Sequence, residues 1–253
     1  MSTLNNLLQL TIYFIFKLKL MQKGKLEQLA EMSYNDFISK GICIGHSKTR
    51  THAKALSVVK TRKCNLYIIN PEVCKNSILK ALKYLAELVK DGKQILFVGS
   101  RLPHRDFVID VASTGGYPYL TGKWIGGLLT NFSVIRKRVN VIQELEDKIN
   151  SEEFKNYPKK EQVRIKRKLT KIKERLEGLR NLENIPDAIF LFSVADCEEA
   201  KKEANKVGIT VIGICDTDVN PEGVDYPIFA NDDTLSSILF ISDLIKEVIL
   251  KNK

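Results

Sequence analysis

The chain has 253 residues, 44% of them apolar, so it can bury a sizeable core as one large domain or a domain with an insertion, and wholesale disorder is excluded. Its 40 Lys and Arg outnumber its 30 Asp and Glu, a net charge of +10. A chain this basic usually meets a polyanion, because each cation beside a phosphate releases a counterion; a basic enzyme without such a partner is the competing reading.

Residues 7–20 are apolar but broken by Gln9, Thr11, Lys17 and Lys19, short of the roughly 20 residues a membrane span needs. They carry no small-residue cleavage signature and no arginine, so they read as neither a secretory signal nor a mitochondrial presequence. Residues 1–32 are expected to be an amphipathic extension that docks on a neighbour, or a loosely packed terminal helix. Leu66-Tyr67-Ile68-Ile69 is rich in strand formers. Residues 72–90 follow a helical pattern, with Ile78, Leu82, Leu85 and Val89 on one face and Asp91-Gly92 as the stop. Ile95-Leu96-Phe97-Val98-Gly99 is a continuous apolar run of the kind buried on both faces of a parallel sheet.

The grammar changes at 136–180, which has no strand signal. Ile165, Leu169, Ile172, Leu176 and Leu179 step by four and three, a short coiled-coil seam. Val139, Ile142, Leu145 and Ile149 form a second stripe, and 150–158 can turn the chain. An antiparallel helical hairpin inserted into an α/β domain is the simplest object. This segment holds 15 Lys/Arg against 8 Asp/Glu, so most of the net charge sits on the one element expected to protrude. After it the alternation returns: strand 188–192, helix 196–207 stopped by Gly208, strand 210–214. Asn231-Asp232-Asp233 then supplies an N-cap and acidic first turn for a last helix reaching about Leu250. Strand and helix in alternation mean βαβ units, a parallel sheet and helices on both faces.

Enzyme signatures are thin. No G-x-G-x-x-G follows a strand and no Walker pattern occurs. The histidines, His46, His52 and His104, accompany no nucleophile motif. Cys43 and His46 have ligand-like spacing without a second pair. The five cysteines, Cys43, Cys64, Cys74, Cys197 and Cys215, are scattered and read as reduced thiols of an intracellular protein. Asp216, Asp218, Asp225, Asp232 and Asp233 cluster after a strand end; they read first as turn formers and helix caps, with a Mg²⁺- or nucleotide-dependent α/β enzyme as the alternative. The segment 122–132, GKWIGGLLTNF, holds the only Trp within a glycine-rich bend. It is either a close-approach loop offering Lys123 to a ligand or a tight loop packing Trp124 on the core.

The segment 122–132 resembles the Arg-Trp-Leu-Gly-Gly-x-Leu-Thr-Asn signature of the bacterial-type ribosomal small-subunit protein S-two family, with Lys123 in place of the Arg. Other stretches resemble that family in the same order: 41–46 (GICIGH, Cys43 replacing the first His), 186–190 (PDAIF), 203–209, Asp216-Thr217, 221–228 and Asn231-Asp232-Asp233, with Ala230 in a Gly place. The resemblance spans roughly 34–250. It departs after Arg50, where Thr51-His52-Ala53-Lys54-Ala55 stands for Trp-Asn-Pro-Lys-Met.

The resemblance implies a flavodoxin-like parallel sheet with a coiled-coil hairpin, assembly on small-subunit rRNA beside neighbouring ribosomal proteins, and no catalysis. The expected organisation is 1–32 as extension, 33–135 and 181–253 as the α/β domain, and 136–180 as the hairpin. The expected RNA-binding residues are Arg50, Lys123 and Arg136, with Lys159, Lys160, Arg164, Lys166, Arg167, Lys168, Lys171 and Arg175 in the hairpin. No cofactor, metal, membrane or small-molecule substrate is expected. The Lys-, Asn- and Ile-rich composition, the extension and the short C-terminus point to an organellar ribosome, mitochondrial first, with plastid or bacterial cytoplasm as alternatives.

Overall fold

A computed structural model describes residues 24–253; the stretch 7–20 therefore lies outside the described residues. Helices α1 (Lys25–Glu31) and α2 (Tyr34–Ser39) lead into β1 (Ile44–Ser47), β2 (Val59–Lys63) and β3 (Leu66–Ile69). There follow α3 (Pro71–Lys90), β4 (Ile95–Gly99), α4 (Arg105–Gly115) and β5 (Tyr119–Thr121). Two helices, α5 (Phe132–Asn150) and α6 (Lys159–Leu176), precede β6 (Ala188–Leu191), α7 (Glu198–Val207), β7 (Thr210–Cys215), β8 (Tyr226–Phe229) and α8 (Leu235–Asn252).

The strands β4 to β8 form one parallel sheet in the order β5-β4-β6-β7-β8. Counted from β4 this is 2-1-3-4-5, the flavodoxin-like winding, with its switch point between β4 and β6. The continuous apolar runs explain the arrangement, because the inner strands β4, β6 and β7 bury both faces, while the edge strands β5 and β8 are only partly buried. Ile95, Phe97, Phe190, Ile212 and Ile214 face a core with α3, α4 and α8. Leu96, Val98, Ile189, Leu191 and Val211 face a second core with α5, α7 and the 122–132 loop. Leu29 of α1 is fully buried in the first core, and Leu26 N–H donates to the Glu247 carboxylate of α8 at 3.0 Å.

The run 66–69 does not join the parallel sheet as the βαβ reading expects. It is the middle strand of a separate antiparallel sheet, order β1-β3-β2. Cys64 and Asn65 both take positive φ and close a two-residue hairpin between β2 and β3. A four-residue apolar run fits either kind of sheet; the hairpin decides. The small sheet rests on the C-terminal edge of the large one, where His46 N–H donates to Thr217 Oγ1 (2.8 Å) and His52 N–H to Thr217 O (2.8 Å).

Helices α5 and α6 pack on each other. Ile165 and Leu176 are buried and Leu169 and Ile172 half-buried, facing buried Val139 and Ile142. At the base, Arg180 donates to Glu146 at 2.6 and 2.9 Å while Lys173 also meets that carboxylate. The short turn after α6, Glu177–Leu179, is pressed on β5 at Gly178, where a Cβ would stand 2.3 Å from the Tyr119 carbonyl oxygen. Gly178→Ala must push backbone from backbone, and is expected to cost about 2 kcal/mol. Urea unfolding checks this; an unchanged midpoint rules the close approach out.

Candidate nucleic-acid interface

The expected RNA-binding residues fall into three places. Lys159, Lys160, Arg164, Arg167, Lys168 and Lys171 line one shallow groove on α6, with exposed Val163 among them. Lys160, Arg164, Arg167, Lys168 and Lys171 share one face at helical spacing, spanning about 16 Å of helix. Among the described residues only Arg164 of this set has an acidic partner, Glu161 at 3.6 Å. Lys166 lies aside, over the Phe154 ring at 6.0 Å.

Lys123 and Arg175 meet elsewhere, in a cleft of about 540 Å³ beyond the ends of β4 and β5. Arg101 and Arg105 line it too. Sequence reasoning missed both, although basic residues just past a parallel strand stand where α/β sheets gather ligands. Arg136 faces inward and donates to the Arg180 carbonyl at 2.8 Å. Arg50 is exposed but pairs with Asp218 at 3.5 Å.

The glycine-rich loop does not cradle a phosphate; it wraps a carboxylate of its own chain. Trp124 is 6% exposed, so the core-packing alternative holds. Its indole N–H donates to Glu203 Oε2 at 2.8 Å, joined by the Gly127 N–H at 3.1 Å. Glu203 Oε1 accepts from Leu129 N–H (2.8 Å), Thr130 N–H (2.9 Å) and the Thr130 hydroxyl (3.0 Å). Gly122 and Gly127, at φ 90° and 86°, supply the left-handed turns that aim these donors inward. Burial raises the Glu203 pKa, but the Thr130, Trp124 and Leu129 hydrogen bonds outweigh it and hold the carboxyl below its ordinary range.

The acidic cluster is neither a row of caps nor a vacant cation site. Helix α8 begins at Leu235 with Thr234 as N-cap residue and no acid in its first turn, contrary to the sequence expectation. Asn231 instead accepts from Asp233 N–H (3.1 Å) and Thr234 N–H (2.6 Å), a local Asx turn that turns Asp232 into the interior. His46 sits among three carboxylates: Asp233 at 3.0 Å, Asp216 at 3.4 Å and Asp218 at 3.7 Å. Asp216 above all raises the His46 pKa to about 9, burial working against it, so the ring is cationic at neutral pH. Arg101 contacts Asp196 and Asp233 and stands 3.6 Å from Asp232. Because Arg101 follows β4 and Asp196 follows β6, this pair bridges the switch point, where such folds usually admit a ligand. Among the described residues no three His, Cys, Asp or Glu side chains are placed to hold a metal ion, and no helix is long and apolar enough to cross a membrane.

Residues 37–252 match the family described as ribosomal protein S2. This chain belongs to the ribosomal protein S2 family. Three bacterial proteins named small ribosomal subunit protein uS2 show the extent of the likeness. The one from Petrotoga mobilis is 34% identical over 89% of this chain and 78% of its own length. That from Thermus thermophilus is 34% identical over 87% and 86%, and that from Fusobacterium nucleatum 32% over 88% and 91%. For this S2-family chain the segment 122–132, which carries the strongest resemblance, is thus a structural knot around Glu203, and it sets Lys123 at the rim of the basic cleft.

Proposed function

We propose that the chain is a structural constituent of a small ribosomal subunit, and that it grips rRNA phosphates with the outward face of α6. Membership of the S2 family supports the first part. The observation that carries the second is the stripe of five cations on α6, of which only Arg164 has an acidic partner among the described residues. A solvated charged helix normally interleaves acids with its bases at i and i+4, neutralising them; this face does not. Phosphate contacts of this type position a protein on folded RNA without reading its sequence.

In this reading 136–180 is an arm of coiled-coil type inserted into a body of 33–135 and 181–253, and the body meets neighbouring ribosomal proteins. Its role is architectural, since the carboxylates an enzyme would need are consumed by His46, Arg50 and Arg101. A mitochondrial ribosome is the location the Lys-, Asn- and Ile-rich composition favours, while the bacterial relatives fit a bacterial cytoplasm; fractionation of the source cells decides between them.

The test is rRNA binding as a function of salt. Each lost phosphate contact should flatten the log–log slope by about 0.9. Reversing Lys160, Arg164, Arg167 and Lys171 to Glu is expected to flatten it by about 3–4 and to weaken binding more than tenfold. An unchanged slope removes α6 from the interface.

A further inference from the structure

The cleft beyond β4 and β5 differs in kind from the α6 face. It is a concavity of about 540 Å³, in the size range of sites that enclose a small molecule. A duplex backbone cannot enter such a space, but one nucleotide can. Besides Arg101, which is held by Asp196 and Asp233, three cations converge on it from three elements: Lys123 after β5, Arg105 at the first residue of α4, and Arg175 near the end of α6. None of the three has a hydrogen-bonded or ion-paired partner among the described residues, although Glu174 lies on the same wall. Arg105 also opens an 11-residue helix with no side-chain cap, so backbone N–H groups add to the positive end of the cleft.

The apolar part of the wall is equally unusual. Leu102 is 84% exposed on a short turn between Arg101 and Arg105, where it covers no core. Together with half-buried Ile125 it offers an apolar platform beside the cations. A cation-lined rim with an apolar shelf fits a phosphate joined to a flat ring.

We propose that this cleft seats a single unstacked nucleotide, its phosphate on Lys123, Arg105 and Arg175 and its base against Leu102 and Ile125. The proposal rests on the RNA-binding reading and adds to it: the occupant is a splayed nucleotide of a single-stranded rRNA segment, whereas α6 takes backbone phosphates of folded RNA. A free mononucleotide offers the same chemistry, so the test separates the two sources.

The full chain is titrated with a fluorescein-labelled oligouridylate of about eight nucleotides, the length such grooves track, with a short blunt RNA duplex, and with AMP. Arg105→Glu/Lys123→Glu is expected to weaken oligouridylate binding at least tenfold, and to flatten its salt slope by about 1.4 for two lost single-strand contacts. Duplex binding should change less than threefold. Leu102→Ala leaves every charge in place and should weaken the oligouridylate several-fold with an unchanged salt slope, which a purely electrostatic cleft would not show. Both substituted surfaces are exposed, and circular dichroism confirms folding. Wild-type affinity for the oligouridylate in both variants overturns the proposal; if the α6 charge-reversal variant loses duplex binding in the same series, the broader reading stands without it. Failure of the unaltered chain to bind either RNA overturns both. AMP binding as tightly as the oligouridylate assigns the seat to a free nucleotide and overturns an rRNA occupant.

Discussion

Glu203→Ala is expected to lower native stability by about 3 kcal/mol, from five N–H and O–H groups left short of an acceptor at roughly 1 kcal/mol each, discounted for those that water can reach. The carboxylate gathers its five donors across more than 70 residues of sequence, so it ties α7 to the loop between β5 and α5. For a chain of this size the loss corresponds to a Tm lower by about 6–10 °C. Glu203→Gln should recover only part of it, because its amide turns a donor toward donors. Differential scanning calorimetry reads both values, and a drop under about 2 °C for the Ala variant would sink the role of the knot.

The pH dependence of this knot has a defined sign. Its folded pKa lies below the ordinary 4.5, so its stabilisation is fully present above 4.5 and disappears as pH falls through the folded value. Wild type should therefore lose stability on acidification, and Glu203→Gln should lose less over the same range. A wild-type chain with flat stability down to about pH 3 contradicts the hydrogen bonding described.

That knot also marks where sequence reading stopped. The parallel strands were legible because burial on both faces leaves unbroken apolar runs such as Ile95-Leu96-Phe97-Val98, and the α3 boundaries because Pro71 and Asp91-Gly92 punctuate them. Helices α5 and α6 were legible from their apolar stripes, which the structure turns toward each other. Strand β3 was misplaced because period and composition say nothing about which sheet a short strand joins. Glu203 opens the 203–209 stretch that carries part of the family resemblance, but nothing local says what it binds: it is one acid among several on α7, and only the fold brings Trp124 to it. Asp232 has the look of a helix-starting acid, and nothing in Asn231-Asp232-Asp233 announces that the Asx turn points it inward to meet Arg101 from beyond β4. For the interface, eight hairpin cations were named from charge density alone. Six line one groove, whereas Lys166 and Arg175 diverge, because helical phase sorts what a count cannot.

Arg101→Ala is expected to be as severe, costing about 3 kcal/mol, because it takes the cation from buried Asp232 and from its more exposed neighbours Asp196 and Asp233. Asp232 is fully buried and has Asp216 and Asp218 in its vicinity. Even with Arg101 3.6 Å away, burial raises its carboxyl to about 7. Adding Asp232→Asn to Arg101→Ala should restore roughly half of the loss, since a neutral amide costs far less to bury than an ion. Were the guanidinium merely filling space, the second substitution would add damage instead.

Asp232 also gives the chain an alkaline liability whose sign is opposite to that of Glu203. A folded pKa raised from 3.8 to about 7 means stability that is fully present below 3.8 and lost as pH rises through 7. Between pH 5 and 7 the wild-type chain should lose a few kcal/mol, at about 1.4 kcal/mol per pH unit, and this contribution should level off above 7, where the folded carboxyl is ionised too. The single variant Asp232→Asn should remove that decline while keeping the fold. His46 acts in the same direction, but over a higher window, from its ordinary 6.5 to about 9. Urea midpoints measured from pH 5 to 9.5 therefore separate the two: a loss between pH 5 and 6.5 that vanishes in Asp232→Asn belongs to the buried acid, and one that persists between pH 7 and 9 belongs to the histidine among its three carboxylates. A decline between pH 5 and 6.5 that survives in Asp232→Asn would mean that the carboxyl is not where the charge is withheld, and the switch-point network would need another owner.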